Sequence, residues 1–262
     1  MSIETPAAKS IILYHRSYRI IPGSLGLYLL QIMLFVVPLS IGSILFYPEI
    51  TEAICQVAKY VLAPHYPANA IHIVETQFLS FVNDYSYLRL PGAFPTPFFS
   101  QINALICVVL LFVLRRIETA KPVMIFFMMI LFIHLASSLF FVIFPRLFPY
   151  DTTEYSRLYM LQQISIGFFM PLLMGLAVMS LPASLLSRCT VVYITYFYSL
   201  IFGTLRYITF LYLLNTISVL YMAVFYFVLG PLIDFVYVAG FYSVFIARTA
   251  KKMKGDTSVW KW

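Results

Sequence analysis

Charge is scarce in this chain. Asp, Glu, Lys and Arg make up 10% of its 262 residues, against 62% hydrophobic ones. Soluble domains carry about a quarter charged residues, so this shortage excludes a soluble globular protein and leaves lipid as the solvent for most of the chain. Cysteine is nearly absent as well. Cys55, Cys107 and Cys189 stand far apart, odd in number and without a CxxC, so neither a disulfide framework nor a cysteine metal site is available. No GxSxG, HExxH or Walker motif occurs, which removes a hydrolase elbow, a zincin helix and ATP binding by this chain itself. No histidine follows His134, so Cys189 has no base downstream of it. No internal repeat or low-complexity tract is visible.

What is there is apolar and long. The mean hydropathy is +0.91, and six apolar runs cover about 24–47, 97–114, 123–144, 159–181, 190–214 and 217–247. Each is long enough for a crossing of ~20 residues. A segment in lipid must satisfy its own backbone, so these runs are helices. Pro48, Arg115-Arg116, Pro145-Arg146, Pro182 and Asn215 punctuate the first five. The sixth exceeds one span and must tilt, kink or protrude. The fold expected is all-α: one polytopic bundle of six transmembrane helices over 1–262, with no soluble domain. The first run is long enough to stay in the membrane, and no cleavable leader is expected before it.

Lys and Arg set the orientation. With the N-terminus inside, the inner segments hold Lys9, Arg16, Arg19, Arg115, Arg116, Lys121, Arg188, Arg248, Lys251, Lys252, Lys254 and Lys261. The outer ones hold Lys59, Arg89, Arg146 and Arg157. Both termini are therefore expected to be cytoplasmic, in a plasma membrane or a bacterial inner membrane. The only tryptophans, Trp260 and Trp262, suit the headgroup level. The net charge of +7 is not clustered with aromatics in any soluble segment, so the bilayer is the expected partner and nucleic acid is not.

The outer loop 48–96 reads as two short amphipathic helices on the membrane surface or over the bundle. In the first, Ile50, Ala53, Ile54, Val57, Val61 and Leu62 share a helical face opposite Thr51, Glu52, Gln56 and Lys59. In the second, IHIVETQFLSFV, the pattern continues through Val74, Phe78 and Phe81. His65, His72 and Glu75 form H-x6-H-x2-E there, a spacing zinc accepts if 72 and 75 share a helical face. Exposed polar residues account for it more simply, and neither a metal nor a cofactor is expected.

Ionisable groups at membrane depth are expensive and face a partner or a cavity. Three occur: His134, Arg206 and Asp234. On straight helices Arg206 and Asp234 lie roughly 10 Å apart along the membrane normal, nearly within an arginine's reach. Gly230-Pro231, just before Asp234, bends or breaks the last helix. A buried structural ion pair explains both charges; a midplane binding or proton site is the sharper alternative. His134, with Ser137 and Ser138 one turn on, reads as a neutral histidine hydrogen-bonding across helices, and without a second membrane-depth histidine it does not suggest haem. Gln162 and Gln163 begin a run in which Gly167, Pro171 and Gly175 recur every four residues, a face for close helix approach and, at Pro171, a kink.

Two functions follow. The chain forms or contributes to a transport or translocation pathway, with kinked fourth and sixth helices and the Arg206/Asp234 pair within it. Alternatively it is a scaffold in a larger membrane assembly or a homo-oligomer, for which 20 Tyr and 25 Phe supply anchors. An intramembrane enzyme comes third.

Overall fold

In the computed structural model, residues 25–67, 69–77, 84–116 and 121–252 are described. The expectations for Lys9, Arg16, Arg19, Trp260, Trp262, Phe78 and Phe81 fall outside them. Six stretches are long and apolar enough to cross a membrane: Leu25–Leu45, Pro97–Leu114, Val123–Ile143, Thr152–Met179, Leu185–Thr216 and Val219–Lys252. The protein is thus a multi-pass integral membrane protein built mainly of helices.

The first span, α1 (Leu25–Leu45), is not a regular helix. Residues Ile32–Val36 form a π segment, closed where the Val37 N–H donates to the Ile32 carbonyl. The next residue, Pro38, has no N–H to donate, and the wider i→i+5 turn passes over the missing donor. Then α2 (Tyr47–Leu62) buries Thr51, Ile54, Cys55, Ala58 and Leu62 and leaves Val57, Tyr60 and Val61 exposed. Its buried face is therefore rotated from the one expected. Thr51, Cys55 and Ala58 face the protein beside Ile54 and Leu62, and Val57, Tyr60 and Val61 face out.

The second expected loop helix is a strand. β1 (His72–Gln77) pairs antiparallel with β2 (Asp84–Arg89), with His72 opposite Arg89 and Gln77 opposite Asp84. The spans are helical as expected, and the loop carries a two-stranded β-hairpin in place of its second helix. Ile73, Val74, Thr76, Tyr85 and Tyr87 are β-branched or aromatic and suit a pleated surface. Long-range contacts decide between the two periods. Tyr85, Ser86 and Leu88 are buried, the Ser86 N–H donates to Thr51 Oγ1 (3.1 Å) and the Leu88 N–H donates to Ser156 Oγ (3.0 Å).

Three of the following helices begin at a polar cap that accepts an otherwise orphaned N–H. Thr96 accepts from Phe99 at the start of α3 (Pro97–Leu114). Asp151 accepts from Glu154 at α5 (Thr152–Met179). Ser184 accepts from Ser187 at α6 (Leu185–Thr216). Between them, α4 (Lys121–Ile143) packs against α3 as a hairpin. The helix α5 runs unbroken through Pro171 and receives α1 on its glycine face. A Cβ on Gly175 would lie 2.6 Å from Val36 Cγ2, and one on Gly167 would lie 3.8 Å from Ser43 Cβ.

The last span is two pieces. After a 3-10 turn at Val219–Tyr221, α7 (Met222–Phe227) stops; Pro231 offers no N–H for the Phe227 carbonyl and instead opens α8 (Pro231–Lys252). One core joins α2, the hairpin and the facing halves of α5, α6 and α7, through Tyr85, Leu88, Tyr159, Tyr207 and Leu211 among others. A second core lies where α1, α5, α6 and α8 meet, around Val36, Met174, Val178, Val192 and Phe245.

Candidate functional site

The break between α7 and α8 is where the intramembrane charges meet. Arg206, on α6, donates from both terminal nitrogens to Asp234, to Oδ1 and Oδ2, each at 2.9 Å. The same guanidinium donates to the Gly230 carbonyl (2.9 Å), the Leu229 carbonyl (3.3 Å) and, through Nε, to Tyr159 Oη (2.9 Å). Both side chains are buried, with 3% and 10% of their surface exposed. The helix break explains the arrangement. Carbonyls released at the end of α7 form a negative pole and accept from arginine, while the positive N-terminal turn of α8 carries the carboxylate. The roughly 10 Å offset of straight helices is closed by the break and by the reach of the arginine.

The ring of Tyr159 lies under the Arg206 guanidinium, 5.5 Å from its carbon to the ring centroid. Its hydroxyl donates to the Gly203 carbonyl (2.8 Å), and its ring stacks on Tyr207 at 5.2 Å. Tyr207 Oη lies 2.6 Å from Ser156 Oγ and accepts from the Leu88 N–H at 3.2 Å. A continuous set of contacts thus joins β2 to the broken helix. Cys55 sits beneath this layer; burial pushes its thiol up to about 12, so it is no nucleophile at neutral pH.

Gln162 and Gln163 face the same region from α5, and they are poorly satisfied. A Cβ on Gly230 would lie 2.9 Å from Gln162 Nε2, so that glycine makes room for the amide at the break. Neither Gln162 Nε2 nor Oε1 has a hydrogen-bond partner, and Gln163 Oε1 has none either. Gln163 Nε2 reaches only the Ser199 carbonyl, at 3.5 Å. Gln163 also lines a cavity of about 20 Å³ together with Ser43, Thr51 and Tyr196, room for about one water molecule.

The remaining expected residues lie elsewhere. His134 Nε2 is 3.4 Å from Asn103 Oδ1 on α3, its ring stacks on Tyr221 at 4.6 Å, and Tyr221 Oη donates to the same Asn103 oxygen at 3.0 Å. That is a cross-helix hydrogen bond between α3, α4 and the 3-10 turn, away from the ion pair. His65 packs edge-on against Tyr212 at 5.1 Å. His72 and Glu75 lie three apart on a strand and so point to opposite faces. The helical-face argument for a metal fails with the helix, and among the described residues no three His, Cys, Asp or Glu side chains come close enough to hold one.

Sequence reasoning missed Ser156, Tyr159, Tyr207 and Ser199. A signal was present: Ser156, Tyr159, Gln163 and Gly167 recur at three- and four-residue spacing, which marks a polar stripe on one face of α5. No known family, curated protein or solved structure matches this chain.

Proposed function

We propose that the protein is a membrane-embedded component of a transport or translocation pathway, and that the polar layer at the α7–α8 break belongs to that pathway. The observation that carries this reading is the Gln162 amide, unpaired and held against the helix break at Gly230, with the half-paired amide of Gln163 beside it against Gly203. Discontinuous transmembrane helices build sites from freed backbone poles, and unsatisfied polar groups in lipid are retained where a polar solute or water passes. The ion pair has a different role. Arg206 and Asp234 satisfy each other and the freed carbonyls, so they pin the break in place while the amides face the solute.

With an even number of crossings, the Lys and Arg excess carried by the two end segments supports both chain ends on the cytoplasmic side of a plasma or bacterial inner membrane. The scaffold reading has its own support: α3 packs chiefly on α4 and leaves most of its surface open for another membrane subunit.

The test is proton and small-ion flux in proteoliposomes of the full chain. Wild-type flux above that of empty vesicles, lost in Gln162→Leu/Gln163→Leu, upholds the pathway. Wild-type vesicles as tight as empty ones remove it. A stoichiometric partner retained in mild detergent then assigns the protein to a scaffold role.

A further inference from the structure

The first half of α6 and the second half of α8 enclose a groove of about 1230 Å³, larger than the ~300–1,000 Å³ of small-molecule pockets. Its walls are apolar and aromatic: Ile194, Tyr198, Phe241 and Val244 line it, and Tyr237 lies at its deep end. Its other end is different. Arg248, Lys251 and Lys252 line it there, all exposed, and none of the described side chains in its lining is acidic. Ser187 and Thr190, on the early turns of α6, border the same end.

We propose that this groove binds one membrane lipid with an anionic phosphate headgroup, its acyl chains along α6 and α8 and its phosphate among Arg248, Lys251 and Lys252. The dimensions fit. From Tyr237 to Arg248 the rise along α8 is ~16 Å at ~1.5 Å per residue, close to the ~15 Å depth of one leaflet of a ~30 Å hydrocarbon core. The charge fits too. Clustered Lys and Arg at the end of a membrane helix attract anionic headgroups, and here they crown an apolar cleft instead of a smooth helix face. A zwitterionic lipid fills the cleft equally well but meets three uncompensated cations. The ion pair at Arg206 and Asp234 does not line this groove, so the lipid site and the pathway reading stand or fall on separate measurements.

Native mass spectrometry tests it on the full chain, extracted in mild detergent with equal phosphatidylglycerol and phosphatidylcholine. The wild type is expected to retain phosphatidylglycerol about tenfold over phosphatidylcholine. Arg248→Gln/Lys251→Gln/Lys252→Gln brings the two to parity, whereas Arg115→Gln/Arg116→Gln, at the exposed end of α3, leaves the preference intact. Gly240→Leu adds a side chain where nothing lies within 4 Å of a Cβ; it fills the groove without burying a clash and lowers retention of both lipids in a monodisperse protein. Parity in the wild type, or equal loss in the Arg115/Arg116 variant, overturns the proposal. So does displacement of the lipid by millimolar inorganic phosphate, which means a soluble anion site. Retention seen only after deletion of 253–262 assigns the groove to the chain's own end, and a dimer that Gly240→Leu dissociates assigns it to a second copy.

Discussion

Two regions of this molecule solve the same problem differently. The α3–α4 hairpin is nearly all apolar surface: 11% of the α3 span and 17% of the α4 span is buried in the protein, and lipid-compatible side chains cover the rest. In α5 and the last span the buried share is 44% each, and where they meet α6 the interior is polar, with Tyr159, Gln163, Arg206 and Asp234 all buried. Lipid is as apolar as leucine, so burying a leucine against another helix gains little in a membrane; close packing and hydrogen bonds hold the helices instead. The hairpin has few such devices: the Asn103–His134–Tyr221 cluster and the Ser137 hydroxyl on α4, which donates to the Leu220 carbonyl (2.7 Å). The α5–α8 region has many, and it also tolerates a broken helix. The comparison teaches that polar satisfaction, not apolar area, orders this fold.

The largest effect should follow from breaking the ion pair on one side. Arg206→Met leaves Asp234 buried without its cation and removes the side-chain donor to the Leu229 and Gly230 carbonyls. Removing one member of a buried pair costs ~3–5 kcal/mol, and the expected result is loss of monodisperse protein. The double variant Arg206→Met/Asp234→Leu removes both charges and should recover most of that loss, as apolar replacements of buried pairs do. Resistance to unfolding in mixed SDS micelles reads both. A double variant as damaged as the single would mean that the carbonyl contacts, not the carboxylate, are the main role of Arg206.

Next in size is the α1–α5 contact. Gly175→Leu forces a side chain onto Val36, whose Cγ atoms lie 2.6–2.7 Å from the position a Cβ would take. Val36 is β-branched and stiff, so it cannot swing aside. Overpacking of this kind costs ~1–3 kcal/mol. Val36→Ala combined with Gly175→Ala should recover stability relative to Gly175→Ala alone in the same unfolding assay, because the atoms in closest contact are gone. Additivity of the two would show that the helices do not meet there.

The spans were legible because their length and apolarity are set by the bilayer, whatever the tertiary packing. The break was legible for a similar reason: Gly230-Pro231 acts on the local backbone. The π segment was not, since Pro38 signals trouble in the helix ladder without saying how the ladder repairs itself. Nor was the hairpin. IHIVETQFLSFV suits a helical or a strand period over so short a run, and what selects the strand is Leu88 and Ser86 donating to Ser156, Tyr207 and Thr51, partners distant in sequence. The buried face of α2 was misjudged by the same logic. Contacts with partners distant in sequence, such as the Ser86 N–H on Thr51 Oγ1, decide which face is buried, and hydropathy alone does not show them. Arg206 and Asp234 were legible as costly residues, while Tyr159, which bridges the guanidinium to the Gly203 carbonyl, is too ordinary in an aromatic-rich chain to stand out.

The smallest effect is expected in the hairpin, and it is the sharpest check on the contrast between the regions. Asn103 Oδ1 is the shared acceptor for Tyr221 Oη and His134 Nε2, while Asn103 Nδ2 donates back to the Phe99 carbonyl on its own helix (3.0 Å). Asn103→Leu removes the acceptor but keeps the volume near α4. Cross-helix hydrogen bonds in membranes average only ~0.6 kcal/mol, up to ~1.7, because groups left behind find other partners. A cost of about 1 kcal/mol is therefore expected, well below that of Arg206→Met, with the α5–α8 region still folded. If Asn103→Leu instead unfolded the protein as thoroughly as Arg206→Met, α3 and α4 would not be a peripheral hairpin held by a few polar contacts. They would be part of a single cooperative unit, and the division between a lipid-faced region and a polar-ordered one would fail.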